Sequence, residues 1–235
     1  MEEVFKSGSL VMSSSPVTDL AQAVRWGELP TNRTLAVAAV LLLVLALPDL
    51  LRLAPGLLYS FDRTRGSAEL EHSLGAARTR NLVALTFILP FCLMLDRYAL
   101  LRPRFWSLIP PQWSAPAALG LMVAFLLVRA LCYALFRPRR LGSEESATLR
   151  HLPYNYFILT AVLTLLTAGV CAVAHVPDDV VRTILYWETG LLWGFTLVRS
   201  AQFLDGKGFG FTTFLYLCGL EILPAAALTG AILWL

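Results

Sequence analysis

The stretch APAALGLMVAFLLVRALCYALF, residues 115–136, holds 22 residues and a single charge, Arg129. A membrane-barrel strand alternates apolar and polar residues over about ten positions. This run is continuously apolar for about twice that length, which is the pattern of a helix. At about 1.5 Å per residue it reaches roughly 33 Å, enough to cross the roughly 30 Å hydrocarbon core of a bilayer.

Five more runs of the same kind flank it: Thr34–Leu53, Asn81–Tyr98, Tyr154–Val176, Val180–Phe203 and Phe211–Leu235. The predicted fold is all-α, a polytopic membrane helix bundle of six transmembrane helices over residues 34–235. A polar tail over residues 1–33 precedes it, with Asp19–Trp26 as a short interfacial helix and Pro30, Thr31 and Asn32 as a stop and cap. The composition agrees. Hydrophobic residues make up 57% of the 235 and charged residues 15%, against about 45–50% and about 25% in soluble domains. Mean hydropathy is +0.66. A soluble core needs a charged shell that this chain cannot supply.

The first run is read as a span and not as a signal-peptide core. The stretch before it contains acidic residues and is 33 residues long, whereas a signal n-region is short and basic. The connection from Ala54 to Arg80 starts apolar (Leu57, Leu58, Tyr59, Phe61) and ends charged, so a segment lying along the membrane surface is expected there. Trp106 and Trp113 in the second loop read as headgroup-level anchors.

Lysine and arginine favour the cytoplasmic side. Eleven of the 19 flank the loops after helices one, three and five, and seven lie in the tail and the other loops. That imbalance places both termini outside.

An ionisable group in the hydrocarbon is costly unless paired, hydrated or neutralised. Arg129, Glu188, Arg199 and Glu221 are the candidates. Glu221 lies about 15 Å into the sixth helix, while Arg129 and Arg199 lie about 10 Å and about 6 Å in from the same face. A Glu221–Arg129 or Glu221–Arg199 pair is therefore geometrically possible. Glu188 sits nearer the opposite half. Two roles stand for Glu221. It can be a proton-linked or substrate-binding carboxylate, with Pro224 loosening the helix beside it. It can also belong to an internal ion pair that fixes helix register, a common use of buried charge. Gly190 and Gly194 form a G-x-x-x-G that permits close helix packing, expected within the monomer.

No catalytic constellation is present. Asp178 and Asp179 read as a helix N-cap. The glycine-rich turn at Gly206, Lys207, Gly208 and Gly210 lacks the phosphate-loop pattern. Cys92, Cys132, Cys171 and Cys218 fall in separate apolar runs and read as packing residues. The spacing of His72, His151 and His175 fits no metal site. No cofactor is expected, and no nucleic-acid footprint is present.

The segment Phe214-Leu215-Tyr216-Leu217-Cys218-Gly219-Leu220-Glu221-Ile222-Leu223-Pro224 resembles the C-terminal signature of a bacterial inner-membrane family, domain of unknown function 4271. The layout is similar too, with a connector after the first helix and a polar start to helix four (Tyr154-Asn155-Tyr156-Phe157). The basic tail expected of that family after the last helix is absent. The resemblance implies the bacterial inner membrane and no particular activity. The expected partners are the lipid bilayer and another membrane protein. The expected function is an accessory or assembly subunit of a membrane or envelope complex. The alternative is a small transporter or lipid-handling factor that uses Glu221.

Overall fold

The computed structural model describes residues 26–62, 74–100, 106, 108–135, 143–205, 218–226 and 230. Among these there are helices and no strands. Five long helices follow in order: α1 (Pro30–Asp62), α2 (Leu74–Arg97), α3 (Ser114–Leu135), α4 (Ser143–Val173) and α5 (Asp178–Asp205). A π-helical turn, Cys218–Ile222, comes after them. Four segments are long and apolar enough to cross a membrane: Pro30–Tyr59, Gly75–Arg97, Pro111–Leu135 and His151–Val173. The fifth helix spans 28 residues and carries Glu188 and Arg199 in its apolar stretch. Most of the sixth run lies outside the described residues.

Helix α1 is longer than its apolar run predicts. It continues through Pro48 and Pro55 to Asp62. A proline removes one backbone hydrogen bond, yet apolar surroundings offer the remaining groups no partner except the helix itself. The surface-lying connector expected over residues 54–80 is therefore corrected in its described parts. Residues 54–62 continue α1, and residues 74–80 open α2. Pro30 is the first residue of α1, where its missing N–H costs nothing. The Asn32 amide reaches back to the Trp26 carbonyl at 3.1 Å. Asp178 and Asp179 form the first turn of α5 itself, where their charge favours the positive helix end. Trp113 is exposed as an anchor should be, whereas Trp106 is buried in the protein.

Helix α2 is the centre of the bundle. It packs against α1, α3 and α4, and α5 packs on α4. Within its span 61% of residues are buried, against 6–28% for the other three. Exposed leucines and valines instead cover the outward faces, among them Leu41, Leu45, Leu127, Leu166 and Leu191. A surface of this kind suits lipid contact, since lipid tails are as apolar as leucine and packing decides what goes inside. The core joins Leu57 of α1, Val83, Phe87 and Phe91 of α2, Ile158 and Ala161 of α4 and Leu185 of α5. Phe91 meets Phe157 edge to face at 5.4 Å.

Two tight helix ends fix the antiparallel order. Ala99 and His175 have φ of 51° and 53°. After α2 the Leu100 N–H bonds the Leu95 carbonyl at 2.9 Å, and after α4 the Val176 N–H bonds the Cys171 carbonyl at 3.0 Å. These are left-handed helix terminations of the kind glycine favours. A Cβ in that conformation costs about 1–2 kcal/mol, partly offset by the lower unfolded-state entropy of a non-glycine residue. Ala99→Gly is therefore expected to stabilise by about 0.5 kcal/mol, read as a raised thermal midpoint in detergent. A lowered midpoint would contradict the assignment of this helix end.

Candidate functional site

Two clusters matter, one at each end of a cleft. The first face of the bundle is the one that carries the start of α1. There the Asp96 carboxylate, at the end of α2, accepts a hydrogen bond from Trp26 Nε1 at 2.7 Å and one from Ser114 Oγ at 3.0 Å. Ser114 begins α3 and Trp26 precedes α1, so one carboxylate joins three helix ends. The Tyr186 hydroxyl of α5 donates to the Leu100 carbonyl on the same face. Asp96 is 3% exposed, and both bonds fall on Oδ2; Oδ1 is buried with no hydrogen-bond partner.

A cleft runs from this knot toward the second face. It has two contiguous chambers of about 500 Å³ and about 480 Å³. Phe91, Met122, Phe125, Thr189 and Trp193 line both. Helix α2 forms the floor, and α3 and α5 stand apart as walls. The chamber near the first face is lined by Asp96, Leu100, Ala118, Tyr186 and Gly190, with Ile222, Ala225 and Ala226 closing part of it. The chamber near the second face is lined by Asn81, Arg129, His151, Tyr154, Tyr156, Thr160 and Thr196. Asn81 and Asp96 are 15 residues apart on α2, so the cleft is about 22 Å long.

The structure brings only some of the predicted residues to this cleft. Arg129 lines the chamber at the second face, its guanidinium 5.5 Å from the centre of the Tyr133 ring. Arg199 turns elsewhere on α5, over the Phe195 ring at 5.0 Å and donating to Gln202 Oε1 at 3.1 Å. Glu188 accepts a hydrogen bond from Thr167 Oγ1 of α4 at 3.1 Å, and its other oxygen is buried without a partner. It faces α4, while its neighbour Thr189 faces the cleft. The side chain of Glu221 lies outside the described residues. Its backbone belongs to the π turn, which packs against α3, the helix that carries Arg129. Pro224 is buried two residues beyond that turn, and the widened helical turn next to it is a place where backbone carbonyls are loosened. Neither Gly190 nor Gly194 has a described atom within 4 Å of where a Cβ would stand. Close packing at this pair is therefore absent among the described residues. The glycine-rich turn 206–210 lies outside them, as does the charged piece 63–73.

Sequence reading missed three polar groups. Asp96 stands two residues before the end of its run, where a charged residue is ordinary. Its partner Trp26 is 70 positions away, a separation for which a single sequence carries no signal. Arg80 is 1% exposed, with Nε and Nη2 at 3.2 and 3.0 Å from Asn81 Oδ1. Asn155 is wholly buried with neither amide atom hydrogen-bonded. Its signal was present, since Tyr154-Asn155-Tyr156 is a polar interruption at the head of an apolar run. Among the described residues no group of three or more His, Cys, Asp or Glu side chains is arranged to hold a metal.

No protein-family model, curated protein or solved structure matches the chain.

Proposed function

We propose that this protein is a lipid-handling factor of the bacterial inner membrane, in which all six runs span the bilayer and the α3–α5 cleft seats an amphiphile. The observation that carries the reading is the cleft. It is apolar along its length, polar at its ends, and open between α3 and α5 among the described residues. Its chamber sizes fall within the roughly 300–1,000 Å³ of ligand pockets. A hydrated cargo would leave its polar groups unpaired against Phe91, Met122, Phe125 and Trp193, at a cost of about 1–3 kcal/mol per group. An acyl chain meets no such penalty. The six-span part is supported by α5, whose 28 residues reach about 42 Å antiparallel to α4. The excess of basic residues after helices one, three and five puts the Arg129 end of the cleft on the cytoplasmic side, with both termini outside.

Purification in mild detergent followed by native mass spectrometry tests this. The wild-type protein is expected to retain a discrete lipid mass. Thr189→Phe on α5 and Ala118→Phe on α3 each project a ring into the cleft from opposite walls, and each is expected to lose most of that lipid while staying folded. Full retention by both folded variants would overturn the reading.

A second reading has one observation behind it. Among the described residues nothing stands over Gly190 and Gly194, so a partner's helix could approach closely there, as an accessory subunit would require. Under that reading a second membrane protein co-purifies in fixed ratio and Gly190→Leu releases it.

A further inference from the structure

We propose that the second-face chamber selects a phosphate-bearing anionic headgroup, with Arg129 as the residue that reads its charge. The inference rests on the lipid-seat reading and names the class of lipid.

The polarity of the cleft is divided between its ends. At the first face the described carboxylate is Asp96, whose Oδ2 is held by two donors. An anionic headgroup there would meet a like charge. Among the described residues, the chamber at the second face is lined by the Arg129 guanidinium together with Asn81, His151 and Tyr154. An anion placed there meets hydrogen-bond donors. The Tyr133 ring beside the guanidinium limits its orientation. A planar guanidinium fork matches phosphate oxygens two at a time, which an ammonium group cannot do. Depth agrees with the assignment. Arg129 lies about 10 Å in from the second face, within reach of a headgroup drawn slightly below the interface while its chain runs toward Asp96. The cleft is longer than the roughly 15 Å depth of one leaflet, which is half the core. A single seated chain therefore passes the bilayer midplane, or bends where Thr189 and Trp193 border both chambers.

The test offers the purified full-length protein an equal mixture of phosphatidylglycerol and phosphatidylcholine with matched chains, and reads bound lipid by native mass spectrometry. Both lipids carry the phosphodiester, but choline adds a cation that Arg129 repels, so the wild type is expected to favour phosphatidylglycerol by about tenfold. Arg129→Gln is expected to lose the preference, its phosphatidylglycerol binding falling to the level of phosphatidylcholine. Arg129→Lys is expected to keep part of it. Inorganic phosphate at high concentration is expected to leave bound lipid in place, and displacement by phosphate alone would mean a site for a free anion and overturn the lipid assignment. Equal binding of both lipids by the wild type, or an unchanged preference in Arg129→Gln, overturns the headgroup assignment while leaving the cleft reading intact. Binding of neither lipid overturns both. Insensitivity to Thr189→Phe would mark the bound lipid as annular.

Discussion

Asp96→Ala is expected to destabilise the protein by about 2–3 kcal/mol. The carboxylate is 3% exposed and accepts from both Trp26 and Ser114. Removing it strands the Trp26 N–H, since a hydrogen bond to a charged group contributes about 1.5–3 kcal/mol and an orphaned buried donor keeps its desolvation cost. Ser114 is less affected. Its hydroxyl has one proton to give, and the Pro111 carbonyl lies 3.0 Å away as an alternative acceptor. The expected order of loss is Asp96→Ala, then Asp96→Asn, which keeps a side-chain oxygen, then Ser114→Ala at under about 1 kcal/mol. Thermal unfolding in detergent gives the order. A neutral Asp96→Ala would mean that the three helix ends are not tied at this point.

Leu185→Ala and Leu191→Ala are expected to differ by about 2–3 kcal/mol although they delete the same atoms from the same helix. Leu185 is 0% exposed between α5 and α4, whereas Leu191 is 68% exposed. A buried Leu→Ala in a soluble core costs about 2–5 kcal/mol, made of a transfer part and a cavity part. In a bilayer the transfer part shrinks, because the unpacked side chain moves to lipid and not to water. What remains at Leu185 is lost packing, so the lower half of that range applies. At Leu191 one apolar contact with lipid replaces another, and the change is expected near zero. Unfolding by sodium dodecyl sulfate in mixed micelles measures both. Equal losses at the two positions would mean that Leu191 is buried against protein.

For the four helices apolar enough to cross a membrane, hydropathy located the apolar stretch but not the ends of the helix. The first run was read to end at Leu53 because Pro48, Asp49 and Arg52 interrupt it, yet α1 goes on to Asp62. The fourth was read to begin at Tyr154, yet α4 begins at Ser143. Glu144, Glu145, Ala147 and Leu149 are good helix formers that hydropathy passes over. The pattern marks what lies in hydrocarbon, and backbone hydrogen bonding carries the helix past that boundary. The most central helix is also the least apolar of the four spans. Helix α2 carries Arg80 and Asp96, both buried, and in a membrane such residues turn inward because lipid cannot satisfy them.

The site was legible only in part. Arg129 stood out as one charge in 22 apolar residues, and it lines the cleft. Glu188 stood out for the same reason, and its observed partner is the Thr167 hydroxyl of α4. The pairing of helices decides such contacts, and that is a property of the assembled bundle. The cleft itself had no sequence signature. It arises where α3 packs on α2 and α5 packs on α4, so the residues that line it share no spacing along the chain.

The methyl group of Met122 reports directly on what fills the cleft. Met122 lines both chambers, and Met94 is buried in the core. With methionine methyls labelled with carbon-13 in otherwise deuterated protein, in nanodiscs of protonated lipid, the Met122 methyl is expected to show cross-relaxation to acyl-chain methylenes and Met94 to show none. Cross-relaxation from Met122 to water, or to neither lipid nor water, would contradict a lipid seat between α3 and α5.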